Sequence, residues 1–232
     1  VGIQSHIEHL LSRLREAQSP WIVAIEGLGG IGKTALADAL LRQIIGQDVY
    51  DEIGWVSAQQ HRLNLGGAIN PVPQPALTAD SLVEALVQQL LPDLGHTATP
   101  RGETLLPRLR ALLKQIPHLI VIDNLESLLD VEGLLPTLQE LANPTKFLLT
   151  SRDALYTTPN IYHFKVPELD EVHTLQLVRQ EAQISNLPTL ATAPDSALQP
   201  IYATVGGNPL ALRLIVGQTH IYTLASILEH LQ

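Results

Sequence analysis

The sequence predicts an α/β protein. A five-stranded parallel sheet flanked by helices is expected over residues 1–166, followed by a small all-helical domain over 167–232. Three observations predict it. Short apolar runs alternate with helix-period segments as far as Val166. Beyond Pro167 only helical patterns remain. The turn after the first apolar run, Gly27-Leu28-Gly29-Gly30-Ile31-Gly32-Lys33-Thr34, fits G-x-x-x-x-G-K-[ST] at every fixed position. It lies between a strand and a helix, the context a phosphate loop needs.

Taken in order, Gly2 to Glu16 reads as an amphipathic helix with Ile7, Leu10, Leu11 and Leu14 on its apolar face and Ser5 as a possible cap. His6 and His9 lie one turn apart, a pair more often at a surface than in a metal site. Ser19-Pro20 break this helix. Trp21 to Ile25 is a buried strand, and Ala35 to Leu40 open a helix that runs to about Ile45, with Gly46 as its stop. Ile53 to Ser57 is the second strand. From Ala58 periodicity is lost, and Asn70 to Pro75 is a Pro-rich loop, either a functional loop or an insertion. Thr78 or Asp80 caps a helix through Leu91, with Leu82, Leu86 and Leu90 inward. Pro92 to Gly102 is a loop. Leu105 to Ile116 is a helix with Pro107 in its first turn. His118 to Asp123 is an apolar strand ending in an acid. Leu134 to Leu141 is helical, Lys146 to Arg152 a buried strand, and Ile161 to Val166 the last strand. Asp170 to Ala182 is helical with Leu175 and Val178 inward, Leu187 to Pro194 a loop, and Ala197 to Val205, Pro209 to Val216 and Leu224 to Leu231 are helices.

The chemistry follows from residue types. Glycines at 27, 29, 30 and 32 let the loop backbone turn its N–H groups inward as a nest for phosphate. The helix that begins there adds its positive end. Lys33 is the charge expected on the β- and γ-phosphates, and the Thr34 hydroxyl a ligand of Mg²⁺. Asp123 is expected to hold the same Mg²⁺ through a water. Arg152, at the same sheet edge, is placed to reach a γ-phosphate; the alternative is a surface arginine paired with Asp153 or a glutamate.

Composition narrows the classes. With 232 residues, 45% hydrophobic and 16% charged, the chain can bury a full core. A net charge of −9 and the lack of any Lys/Arg run argue against a nucleic-acid platform, and no direct nucleic-acid binding is expected. There is no cysteine, which excludes disulfides and thiolate sites and suits a cytoplasmic location. No signal peptide or membrane-spanning run is read. The chain contains no methionine, so it is expected to be a piece of a longer one.

The order of motifs resembles the nucleotide-binding core of the STAND ATPases, on the NB-ARC or apoptotic-ATPase side. Val1-Gly2 and the helix after it resemble the family's adenine-side segment. Gly27 to Thr34 look like Walker A, Tyr50-Asp51 with Trp55-Val56-Ser57 like the second-strand signature, and Leu119 to Asp123 like Walker B. Thr150-Ser151-Arg152 resemble the sensor strand, and Gly207-Asn208-Pro209-Leu210-Ala211-Leu212 the G-x-P-L-A-L motif of the helical domain.

The resemblance implies ATP/ADP and Mg²⁺ as ligands. Gly27, Gly29, Gly30, Ile31, Gly32, Lys33, Thr34 and Ala35 would contact phosphate. Arg152 would read the γ-phosphate from a strand inserted between the Walker A and Walker B strands. Pro209 and Leu210 would close over the adenine, and Val1 would border it; helix start and core residue are the plainer readings of Pro209 and Leu210. It also implies effector, winged-helix or repeat domains outside this chain and a possible nucleotide-dependent homo-oligomer. The sequence departs from the family pattern at Ile3 and Gln4. It departs again at Asn124, where a second acid is usual, and an amide is no useful base. The expected function is a regulatory ATPase module with slow hydrolysis, with Lys33, Asp123 and Arg152 carrying the chemistry. A nucleotide-stabilised scaffold without turnover is the alternative; a GTPase is disfavoured because no N-K-x-D motif is present.

Overall fold

In a computed structural model of the chain, residues 2–58, 61–63, 69–71, 78–92, 105–128, 131–155 and 159–231 are described. Val1, part of the Pro-rich loop (72–77) and most of the loop expected from Pro92 lie outside them. In chain order, α1 spans Gln4–Arg15, β1 Ile22–Glu26, α2 Lys33–Ile44, β2 Glu52–Ser57, β3 His61–Leu63 and β4 Ile69–Pro71. Then follow α3 (Ala79–Leu90), α4 (Leu105–Gln115), β5 (His118–Asp123), α5 (Val131–Leu141), β6 (Lys146–Ser151) and β7 (Ile161–Lys165). After β7 the described residues form helices alone: α6 (Glu171–Ile184), α7 (Pro188–Ala191), α8 (Asp195–Val205), α9 (Pro209–Gln218) and α10 (Leu224–Leu231).

The main sheet has five parallel strands in the order β2-β5-β6-β1-β7. The expected insertion of β6 between the strands bearing Asp123 and the phosphate loop is therefore present. Side chains explain why these strands read as unbroken apolar runs. Ile22 and Ala24 of β1, Ile120 and Ile122 of β5, and Phe147 and Leu149 of β6 join one cluster with α3, α4 and α5. The alternate residues Val23, Ile25, Leu119, Val121 and Leu148 join a second cluster with Ile7, Leu10, Leu11 and Leu14 of α1 and Leu36, Ala37 and Leu40 of α2. Both faces are covered, so neither can be polar. A third cluster draws on α6 to α10, from Leu175 to Leu228, and includes no strand residue.

Three local expectations change and one pair of alternatives is decided. Ser5 does not cap α1: the N-cap is Ile3, with no side-chain bond to the helix. Thr78 rather than Asp80 caps α3, its hydroxyl accepting from Ser81 N–H while Ser81 Oγ accepts from Thr78 N–H. β3 and β4 form an antiparallel pair where the sequence shows no periodicity, since three-residue strands are too short to display one. α7 falls inside the stretch expected to be a loop and starts at Pro188, which is pre-set for a first helical turn.

One buried cation ties α1 to the sheet. Lys146 is 2% exposed, and its Nζ donates to the carbonyls of Arg13 (3.0 Å), Gln18 (3.1 Å) and Pro20 (2.8 Å). The ammonium also lies 5.1 Å from the Trp21 ring centroid. Burial lowers its pKa from the ordinary lysine value, and its three hydrogens are spent on three carbonyls. Lys146→Ala is expected to destabilise the chain by about 3 kcal/mol, because it leaves three acceptors and a cavity in the dry interior. Urea unfolding measures this; a loss below about 0.5 kcal/mol would show that the carbonyls find other partners.

Candidate functional site

The parallel register brings the C-terminal ends of the strands level: Ser57 lies opposite Asp123, and Glu26 opposite Ser151. The loop from Gly27 to Gly32 leaves β1 there and feeds α2. Gly32, the N-cap of α2, is left-handed at φ +102 and offers no side chain to the helix start. Lys33 is 7% exposed, and its Nζ lies under the loop, donating to Gly27 O (2.8 Å) and Leu28 O (3.0 Å). Burial lowers its pKa from the ordinary value; Glu126 and Asp123 oppose that shift, and Arg152 adds to it.

Asp123 is 3% exposed and ringed by hydroxyls. Thr34 Oγ1 and Thr150 Oγ1 each donate to Oδ1 at 2.7 Å, and Ser57 Oγ donates to Oδ2 at 3.4 Å. Thr150 also accepts from Asn124 N–H at 2.9 Å, tying β6 to the end of β5. A buried carboxylate needs such donors, and α2, β2 and β6 each contribute one.

Arg152 sits at the end of β6 with its guanidinium against the loop; a Cβ placed on Gly29 would lie 3.5 Å from its Cζ. Its Nε lies 2.9 Å from Glu126 Oε1, and its backbone N–H donates to Glu126 Oε2 at 3.2 Å. The arginine thus faces the loop and pairs with a glutamate, combining the two expectations.

The helical region reaches the loop directly. Asn208 caps α9, its Oδ1 accepting from Leu210 N–H (3.0 Å) and Ala211 N–H (3.3 Å). Asn208 Nδ2 donates to Gly29 O at 3.0 Å, and Leu210 N–H donates to Gly30 O at 3.3 Å. Gly30 permits this approach, and Gly207 a close packing inside the helical region. Gly30 is left-handed at φ +77, and a Cβ there would lie 2.4 Å from Leu210 Cβ. At Gly207 a Cβ would lie 1.9 Å from Leu169 O.

Between these parts lies a cavity of ≈ 960 Å³. Of the residues expected at a nucleotide, Gly29, Gly30, Ile31, Gly32, Lys33, Thr34, Ala35, Arg152, Pro209 and Leu210 line it together. Asp123 lies beneath it, one hydrogen bond behind Thr34. Gly27 lines an adjoining cavity of ≈ 480 Å³ beside Glu26 and Lys165. Val1 lies outside the described residues; its neighbour Gly2 packs on the imidazole of His173, and both line the larger cavity. Glu168, His173 and Arg213, not expected at the nucleotide, also line it, as does Glu126, which lies near the Asp123 motif in sequence but off it. The Asp170 cap preceding His173 was the only local signal among them: Asp170 Oδ1 accepts from His173 N–H and pairs with its Nδ1, both at 2.8 Å.

The NB-ARC domain matches residues 3–184. Disease resistance RPP8-like protein 3 of Arabidopsis thaliana is 24% identical over 220 residues, which covers 94% of this chain and 22% of that protein. The chain thus spans about a fifth of that relative's length. Among solved structures, a STAND protein with a tetratricopeptide repeat sensor from Pyrococcus horikoshii superposes with a TM-score of 0.52 at 17% identity, over 97% of this chain and 32% of that one. A Drosophila ORC structure, bound to DNA, gives a TM-score of 0.67 at 17% identity, over 99% of this chain and 65% of that one.

The contact between loop and helical region has a direct test. Gly30→Ala places a methyl group into Leu210 and forces a left-handed alanine. It is expected to destabilise the chain by about 2–4 kcal/mol, lowering the melting temperature by roughly 5–10 °C. A melting temperature within about 1 °C of the parent would show that α9 moves off the loop at no cost.

Proposed function

The chain belongs to the NB-ARC family of nucleotide-binding modules, and from that premise we propose that it is an ATP/ADP-responsive switch of the STAND class. Adenine nucleotide would hold the α/β part and the helical region in one arrangement, with the boundary between them near Pro167. The observation that carries this reading is the pair of bonds from Asn208 and Leu210 to Gly29 and Gly30. A loop that cradles phosphate would, through those bonds, report on what it holds. Such coupling needs ATP and ADP to favour different arrangements, and Arg152 is the group only a γ-phosphate would engage.

The residues fit Mg²⁺. Thr34 and Asp123 present hard oxygen donors 2.7 Å apart beneath the loop. Thr34 would bind the ion directly and Asp123 through water. The ion would offset the charge of the β- and γ-phosphates. Lys33 would exchange its two loop carbonyls for phosphate oxygens, and the bonds from Asn208 to Gly29 and from Leu210 to Gly30 would keep the loop from opening. Pro209, Leu210 and the N-terminal segment would exclude water from the base. Turnover would be slow because position 124 carries an amide.

A nucleotide-held scaffold without useful turnover is the second reading, favoured by that same amide. The ORC structure's DNA binding belongs to that protein. Likeness at 17% identity carries the fold alone, and the net charge of −9 speaks for a partner other than DNA. Among the described residues no helix is long and apolar enough to cross a membrane. Effector, sensor and oligomer contacts of the longer relatives would lie with flanking segments.

The first experiment is to denature the purified chain and identify the nucleotide released by anion exchange. About one ADP per chain is expected, together with its loss in Lys33→Ala, which removes the phosphate charge. Guanine nucleotide, or nothing bound and no thermal shift with added ADP, would overturn the reading. Asn124→Asp restores a second acid and is expected to raise steady-state hydrolysis about tenfold. An unchanged rate would show that position 124 does not limit turnover.

A further inference from the structure

We propose that Glu126 is the general base for ATP hydrolysis in this chain, held by Arg152 until a γ-phosphate takes the guanidinium away. The proposal rests on the nucleotide reading of the cavity and goes beyond it by naming the proton acceptor. Asn124 cannot fill that role, since an amide does not accept a proton from water at neutral pH. A base must therefore come from elsewhere on the cavity wall.

Backbone geometry delivers one. Asn124 is left-handed, at φ 62 and ψ 51, and starts a single 3-10 turn over Leu125–Ser127. The turn folds the chain back over the end of β5, burying Leu125 below and setting the Glu126 side chain, 13% exposed, on the cavity wall. The position is at the phosphate end. Arg152, which holds both carboxylate oxygens, has its guanidinium against Gly29 of the loop. Glu126 is also the charge that most favours the ammonium form of Lys33.

The pairing supplies timing. With ADP there is no γ-phosphate to compete, and Arg152 keeps Glu126 neutralised. With ATP, phosphate oxygens compete for the guanidinium through charge-assisted bonds of their own, and the carboxylate is released to accept a proton. The oxygen of a water then attacks the γ-phosphorus. The bond from that phosphorus to the β–γ bridging oxygen breaks, and its electron pair leaves with ADP. The water's proton passes to Glu126 and on to solvent, giving ADP and inorganic phosphate.

The test compares the parent chain with Glu126→Gln and Glu126→Asp by phosphate release, and by affinities for ADP and the β,γ-methylene analogue of ATP. Glu126→Gln is expected to lower kcat about 100-fold. ADP affinity should stay within about twofold, and analogue affinity should rise about tenfold, because the competitor for Arg152 is gone. Glu126→Asp should fall between the two. A Gln variant hydrolysing ATP at the parent rate overturns the proposal, as does one that loses ADP binding together with its fold. A parent chain that binds both nucleotides with no measurable hydrolysis overturns the base and leaves the switch standing. A parent chain that binds neither overturns the switch reading, and the base with it.

Discussion

A carboxylate can be buried only if donors come to it, and Asp123 makes that demand at the centre of this fold. Its three hydroxyl partners sit on α2, β6 and β2. Satisfying them sets the height of β6 against β5, the entry of α2 beneath the loop, and the alignment of β2 at the sheet edge. The apolar faces then follow the pleat: one residue in two faces α3, α4 and α5, and the alternate set faces α1 and α2. The polar edge and the apolar layers constrain one another, because a one-residue slip of β5 would reverse its faces and withdraw the acid.

The parts of this architecture that were legible in the sequence are those with a strong local cause. Four glycines with Lys33 and Thr34 admit few other conformations between a strand and a helix. Apolar runs bounded by polar ends admit little but covered parallel strands. The helix start at Pro209 was visible for a similar reason, since proline suits a first helical turn. What escaped depends on distant partners. Nothing near Glu126 announces that its donor is Arg152, a strand away. Nothing near His173 announces that its ring would lie on Gly2. Ser5 had the right chemistry for a cap, yet Ile3 takes the position, its carbonyl accepting from Ile7 N–H.

The helical region has its own core and still touches the phosphate loop, through the Asn208 amide, the Leu210 backbone and the Leu210 side chain packed on Gly30. Two bonds, from Asn208 to Gly29 and from Leu210 to Gly30, form that joint. Contacts of this kind add little stability and much geometric definition, since each requires a particular peptide orientation. A helical region that rotated by one side chain's width would break both bonds at once, which makes the joint two-valued rather than graded.

The strand order has a consequence for how the molecule comes into being. β1 carries the phosphate loop but pairs with β6 and β7, at residues 146–151 and 161–165. During synthesis the loop emerges early, with neither neighbour yet made. Its strand, four apolar residues and Glu26, therefore waits unpaired until β6 has left the ribosome. A chain interrupted before β7 would hold every residue of the phosphate motif and still lack the edge strand that flanks β1. The interval before β7 arrives is when this sequence depends most on whatever shields nascent chains from one another.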